Sequence, residues 1–386
     1  MRFLYLTFLN EDLRDGYRNK IHSQCKGLAC CGYHGNLLIV SNNGFKIYEY
    51  DKSGKETLNK VIGFTHKRKS ERRNLYDELI IFFQFLSVAE EIINVNFLDF
   101  IYIRQVVPIT PMLLCFLKKI RKKNIKILYE YPTYPWKVDL KYVTNSFFYY
   151  LDCLLYRFLE KRVDKIVCFG QYNGTNNKYI ESMNGINVGD YPININKTNK
   201  ANEIHFIAVA NVLEVHGYDR FIQGMGKYYK ERYQIKVYFH IVGNIPSRLK
   251  LKSMVHELNI DNYVIFHGYK NGQELDDLYA TMDCAVDTLA YYRRGDDCIA
   301  GSLKSREYLA RGLPFVFSGN LDIAMKKSYD FMIRVPINPE IINIKNVVNE
   351  FYKITTSSEN IRKFAANHLN WHIIMKNILI DAQIIK

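Results

Sequence analysis

Short apolar runs alternate with helical stretches twice along this chain, and that alternation leaves few folds open. Phe3–Phe8, Leu37–Ser41, Phe100–Ile103, Ile125–Glu130 and Lys165–Phe169 read as strands. Between them, Ile21–Cys31, Leu75–Ile92, Thr110–Lys123 and Phe147–Leu159 carry helical periodicity. A loop joins the first strand to Gly16, and the polar, basic residues 50–73 are expected to form an irregular excursion. The pattern stops at Asn187–Glu203, a polar stretch that reads as an interdomain linker. It resumes with strands at Ile204–Ala210, Lys236–Val242, Val264–Phe266, Cys284–Asp287 and Pro314–Ser318. The intervening helices are Tyr218–Tyr229, Leu249–Leu258, Gln273–Ala280 and Leu303–Arg311, and the segment from Ile341 is mostly helical. Apolar strands separated by helices predict parallel sheets covered on both faces.

At 386 residues the chain exceeds the ~250–300 at which a single core stops growing. Two domains follow, 1–192 and 203–386, with the terminal helix a candidate to cross back to the first. The expected fold class is α/β: two Rossmann-like, doubly wound parallel-sheet domains facing a cleft. Ligands in such sheets bind outside the carboxyl ends of the strands.

Composition narrows the partners. The net charge of +14 suits nucleic acid, anionic lipid or phosphorylated substrates, and charge alone does not choose. Aromatic residues reach 14%, which fits a sugar- or membrane-facing surface or simply an AT-rich coding sequence. The eight cysteines include no CxxC pair and sit largely in apolar runs, so free thiols in a reducing compartment are expected rather than disulfides or zinc. Met1–Leu9 is too short for a signal peptide, and no apolar run is long enough to span a membrane; a cytoplasmic location is the expectation.

The second half carries the chemistry. Phe239–Asn244 is a strand ending in Gly243 and Asn244, and Val264–Gly268 repeats the design, so the two ends form a shelf for a nucleotide base or are ordinary strand-to-loop turns. Gly301-Ser302-Leu303-Lys304 opens a helix, where free N–H groups and the dipole favour a phosphate. Lys304 adds a mobile charge, and Glu307, one turn on, is placed to accept from ribose hydroxyls. The plainer alternative is a Ser-capped helix with a surface Lys–Glu pair.

Taken in order, these segments resemble the retaining glycosyltransferases of the GT-B fold, family 4. The matching residues are Ile241-Val242-Gly243, Val264–Gly268, Glu274–Tyr279, Glu307–Pro314 and Asn370-Trp371. In the first half, Ile101–Arg104, Ile127–Pro135, Val163–Val167 and Asn184–Asn187 resemble a subgroup from bacterial surface-polysaccharide clusters, of O-antigen or capsule type. The resemblance spans nearly the whole chain, through motifs that are individually weak.

Departures from the family pattern matter. The family carries two glutamates seven residues apart; Glu307 matches the second, but Ile299 stands at the first, so its contact with the transferred sugar is expected to pass to Asp296 or Asp297. The family's Arg and Lys that clamp the donor diphosphate are replaced by Asn211 and His216. Arg220 and Lys304 are expected to supply the charge, unless Arg220 instead pairs with Asp219 and His216 makes a loop contact.

The resemblance implies transfer of a hexose from a nucleotide-diphosphate sugar to a growing, lipid-linked saccharide, with retention, no metal and no cofactor. Asp276-Asp277 and Asp296-Asp297 lack the DxD spacing of a donor-metal motif. The first domain should take the acceptor through Gly16, Arg104 and Tyr134, with Glu130 orienting its hydroxyl or anchoring a loop. The basic end Leu117–Lys123, beside Met112, Leu113, Leu114 and Phe116, suggests peripheral contact with an anionic inner membrane, or else a solvated helix end. A non-hydrolysing sugar-nucleotide epimerase shares the two-domain plan. A basic nucleic-acid-binding protein would share the charge but shows no recognition motif. A dehydrogenase would need GxGxxG after the first strand; Gly224-Met225-Gly226, inside a helix, is the sole start of one.

Overall fold

Strand β1 (Arg2–Asn10) is buried without interruption from Phe3 to Thr7, so both of its faces are covered. That explains a continuous apolar run where a half-exposed strand would alternate. The computed structural model describes residues 1–13, 15–66, 75–137, 146–195, 202–294, 301–325 and 327–385. Its contacts divide the chain into unit 1, Met1–Met183 with Trp371–Lys386, and unit 2, Asn184–Asn370.

Unit 1 is an eight-stranded sheet of order β4-β3-β2-β1-β5-β6-β7-β8. Its strands are β1, β2 (His34–Ser41), β3 (Gly44–Tyr50), β4 (Glu56–Gly63), β5 (Phe100–Arg104), β6 (Lys126–Tyr131), β7 (Lys165–Phe169) and β8 (Tyr179–Ser182). The strands from β2 through β1 to β8 pair in parallel. The β2–β3–β4 edge is an antiparallel meander, which the all-parallel expectation missed. It occupies part of the stretch expected to be irregular. Strand β4 is exposed along most of its length, so it lacks the apolar run that marks a covered strand.

Helices α2 (Leu75–Val95), α3 (Pro111–Arg121) and α4 (Ser146–Glu160) cover one face, packing Ile81, Phe85, Leu113, Leu117 and Leu159 against the strands. Helix α1 (Asp15–Cys30) and the terminal helix, residues 371–381, cover the other face, so the last segment of the chain returns to the first unit. Thr110 caps α3 by accepting from the Leu113 amide at 3.2 Å, and Pro111 follows at the first helical position. Leu113, Leu114, Phe116 and Leu117 are all buried. The apolar face of α3 is therefore core, which corrects its reading as an interfacial helix.

Unit 2 is a six-stranded parallel sheet of order β11-β10-β9-β12-β13-β14. Its strands are β9 (Glu203–Val209), β10 (Lys236–Val242), β11 (Val264–Gly268), β12 (Cys284–Val286), β13 (Phe315–Ser318) and β14 (Met332–Val335). Its helices are α5 (Tyr218–Lys230), α6 (Leu251–Glu257), α7 (Gly272–Ala280), α8 (Leu303–Ala310), α9 (Ile344–Tyr352) and α10 (Ser358–His368), and the terminal helix (Trp371–Asp381) of unit 1 is α11. Gly224 lies inside α5 where a Cβ would overlap the Ile342 carbonyl oxygen, so packing of the 342 segment accounts for this glycine. Residues 184–195 hold to unit 2: the Asn194 amide side chain donates to Tyr279 and Met282 carbonyls at 2.8 Å, and Arg306 donates to the Asn184 carbonyl at 3.1 Å.

Candidate functional site

The strand order of unit 2 winds outward from β9 in two directions, so the crossovers diverge between β9 and β12. A switch point of this kind opens a crevice at the carboxyl ends of the two strands. Two segments bound it: residues 210–217 after β9, and residues 287–294 after β12 together with 301–302 leading into the next helix.

The first loop ends in a 3-10 turn, Glu214–His216, closed by Gly217 at φ 65°. The Leu213 amide donates to His216 Nδ1 at 3.0 Å. Burial, and after it the Lys304 charge, push the imidazole down to about 3. His216 is therefore neutral at working pH. With Nδ1 accepting, its proton lies on Nε2, which makes that edge a hydrogen-bond donor.

The second loop starts at Asp287, which is 1% exposed. Its Oδ1 accepts from the Thr288 amide at 2.7 Å and from Ser302 Oγ at 2.9 Å, and Lys304 Nζ stands 3.3 Å away. Lys304 also donates to Thr288 Oγ1 at 3.1 Å. Burial pushes the Lys304 ammonium down, with Asp287 opposing. Ser302 sits at the N-cap of α8 but makes no capping bond; its side chain is turned to Asp287, to which its hydroxyl donates. The first-turn amides of α8 thus lack a side-chain cap and present a positive end beside a lysine. His216, Ser302, Leu303 and Lys304 are brought together. The partners that hold them, Asp287 and Thr288, were not singled out from sequence. A charged residue closing an apolar central strand was the available signal.

Gly243 and Gly268 meet at the next strand ends, the Gly243 amide donating to the Gly268 carbonyl at 2.7 Å. Gly243 has φ 118°, and a Cβ there would overlap the Ala210 carbonyl oxygen, so its backbone geometry alone requires glycine. Gly268 and Asn244 are exposed, and Asn244 reaches Asn211 at 3.4 Å.

Other expected site residues sit elsewhere. The Arg220 guanidinium donates to the carbonyl oxygens of Leu289, Glu340 and Pro336 and to Asn338 Oδ1. At 1% exposure it is a backbone clamp, which corrects its assignment to the diphosphate. Asp219, the partner weighed for it, is bidentate with Arg293 at 2.6 and 2.8 Å. Glu307 does not join Lys304. Burial pushes its carboxyl up, Arg311 opposes, and Arg311 Nε donates to its Oε1 at 3.1 Å. Asp296, Asp297 and Ile299 lie outside the described residues.

In unit 1 the switch point falls between β1 and β5. Gly16 lies there, exposed, but inside α1 rather than in a loop. Arg104 ends β5, 2% exposed, paired with Glu130 on β6. Glu130 also accepts from Gln24 and Tyr102 at 2.8 Å and is fully buried. This carboxylate is saturated by its own neighbours, so it organises the floor beneath the strand ends and does not meet an acceptor, contrary to expectation. Arg104 is removed from direct acceptor contact for the same reason. Tyr134 packs among Tyr172 and Tyr179, and burial pushes its phenol up to about 12.

Residues 190–322, which contain the whole switch-point site of unit 2, match the family model described as glycosyl transferases group 1. No curated protein matches the sequence. Among solved structures, sucrose-phosphate synthase from Thermosynechococcus elongatus is 14% identical, with a TM-score of 0.63 over 98% of this chain and 97% of its own. Anabaena Alr3699/HepE in complex with UDP and glucose is 12% identical, with a TM-score of 0.61 over 100% of both chains. The lipopolysaccharide outer core galactosyltransferase WaaB is 11% identical, with a TM-score of 0.59 over 99% of both. At these identities the likeness is one of fold. The chain is a glycosyltransferase with a GT-B fold, and its group 1 domain lies in unit 2.

Proposed function

We propose that this chain moves a hexose from a nucleoside-diphosphate sugar to a growing, lipid-linked saccharide, with retention and without a metal. The setting is assembly of a bacterial surface polysaccharide, O-antigen or capsule, at the cytoplasmic face of the inner membrane. The observation that carries the donor part is the start of α8, where Ser302 is drawn away to Asp287 and leaves the first-turn amides uncapped beside Lys304. The departing group is an anionic diphosphate, so stabilising it is the main catalytic task. In this reading the Leu303 and Lys304 amides and the Lys304 ammonium hold the phosphates. His216 donates from Nε2 to a diphosphate or sugar oxygen. Gly243, Asn244 and Gly268 border the nucleoside. Glu307, with Oε1 taken by Arg311, offers its second oxygen to the ribose, and Asp296 or Asp297 reads the sugar. The leaving phosphate accepts the acceptor's proton. Unit 1 takes the acceptor at its own switch point, around Gly16, with Tyr134 farther along the strand ends.

The test is acceptor-dependent release of nucleoside diphosphate, scanned over UDP-, GDP-, dTDP- and ADP-sugars with a bacterial lipid-linked saccharide extract. Release that needs both components supports the reading. Interconversion of the donor sugar without any acceptor would make the chain an epimerase instead.

A further inference from the structure

Helix α4 is apolar on both sides: Tyr149, Cys153, Leu155, Tyr156 and Leu159 pack against the core of unit 1. Asp152 is buried on its inner side, accepting the Ile109 amide, with Leu159 beneath it. Its outer side carries Phe147, Tyr150, Leu154 and Phe158, exposed at 68%, 69%, 66% and 50%. Steps of three, four and four residues place these on one stripe along a helix about 22 Å long. Scattered apolar residues on a surface need no explanation, but four large ones in line do. A second exposed row, Tyr76, Leu79 and Phe83, runs along α2, and α3 packs against both helices.

The stripe runs into a cationic end. Arg157 and Lys161 continue the same helical line, and Arg162 donates to the Phe158 carbonyl at 2.8 Å. The end of α3 adds Arg121, Lys122 and Lys123, drawn in by a bond from Arg121 to the Lys161 carbonyl. The carboxylates at this end are engaged elsewhere: Glu160 accepts from Tyr179 at 2.6 Å and Asp164 from the Ile127 amide at 2.8 Å. An apolar row ending in cations that pair with no carboxylate among the described residues complements a bilayer of anionic lipid: the rings enter the acyl boundary while the cations stay at the headgroups. No described helix is long and apolar enough to cross a membrane, so the contact would be peripheral.

We propose that the outer stripe of α4, with the basic ends of α4 and α3, is the surface by which this protein docks on an anionic bilayer. This deepens the membrane part of the proposed function and relocates it from α3. The test uses neither donor nor acceptor, so its failure is read apart from any failure of transfer.

The full chain is sedimented with vesicles of phosphatidylcholine alone or mixed with phosphatidylglycerol. Binding should be stronger to the anionic vesicles and weaken with salt. Leu154→Ser/Phe158→Ser should lower the partition coefficient on the order of tenfold, and Lys122→Glu/Lys123→Glu should abolish the preference for anionic lipid. Both sites are exposed, and unchanged circular dichroism confirms folding. Phe97→Ser, at a residue 99% exposed and outside the α4 stripe, should change nothing. Absence of binding, or equal binding by the Leu154→Ser/Phe158→Ser variant, overturns the proposal. So does a variant that instead converts a dimer into a monomer, which would make the stripe an interface between copies.

Discussion

Lys304 is asked to serve two ends, and they can be separated. Its Nζ lies 3.3 Å from Asp287 Oδ1, and Asp287 is 1% exposed. At an effective dielectric near 20 that separation corresponds to about 5 kcal/mol of attraction before desolvation. Removing one member of a buried pair typically costs about 3–5 kcal/mol. Ser302 and the Thr288 amide still serve Asp287, so Lys304→Met should cost about 2–4 kcal/mol. For a domain of this size that is a fall in Tm of roughly 5–15 °C. The same substitution removes the charge facing the leaving diphosphate, worth about 10²–10³ in kcat/KM. The double variant Lys304→Met/Asp287→Asn removes the orphaned carboxylate and should recover most of the lost Tm while kcat/KM stays low. Calorimetry and a donor-release assay on wild type and the single and double variants give both numbers. If transfer returns along with stability, the lysine serves only the fold and the donor site is misplaced.

Three further predictions concern residues whose roles the structure fixes. Arg220→Met leaves the Leu289, Pro336 and Glu340 carbonyls without their donor, and should cost on the order of 3–5 kcal/mol; the rise in Tm caused by nucleotide should stay as in wild type, and its disappearance would return Arg220 to the donor site. Gly243→Ala meets the Ala210 carbonyl at a positive φ and should lower stability by at least about 2 kcal/mol, checked by denaturant titration. Burial would push the Glu11 carboxyl up, but hydrogen bonds from His22, Lys46 and Tyr48 outweigh it and hold it at about 2. Burial would lower His22, but Glu11 and Glu56 outweigh it and raise the imidazole. The raised histidine stabilises the fold below its unfolded value and loses that contribution as pH rises. The depressed carboxyl stabilises above its own unfolded value and loses that as pH falls. Together they contribute most between roughly pH 4.5 and 6.5. His22→Gln should therefore lower Tm most in that window and least near about pH 9; an equal deficit at every pH contradicts this.

The parallel strands were legible because burial on both faces writes an unbroken apolar run, as in Phe3–Leu6 and Phe100–Ile103. Strand β4 was not, because an edge strand needs little apolar surface: it reads Glu-Thr-Leu-Asn-Lys-Val-Ile-Gly and stays exposed. Strand β3 is buried at Phe45, Ile47, Tyr48 and Tyr50, but Lys46 and Glu49 break its apolar run. The start of α8 was legible from Gly301–Lys304, since an N-terminus and a lysine are local features. Its partner Asp287 was not, because its role appears only once the end of β12 is laid beside the start of α8. Arg220 shows the opposite error. An arginine near a ligand loop reads as a ligand contact, and only the return of residues 336–340 over Leu289 shows the carbonyls it serves. The same limit hid the role of Glu130, whose saturating partners come from α1 and β5.

The central claim is that the uncapped start of α8, with Lys304 and His216, holds the diphosphate of a nucleotide sugar. Thermal shift of the wild type and of Lys304→Met/Asp287→Asn against UDP, GDP, dTDP and ADP tests it most directly. One nucleoside diphosphate at about a hundred times its Kd should stabilise the wild type by about 2.7 kcal/mol. The double variant should show little of that shift. No shift with any of the four, or the same shift in both proteins, would contradict the account.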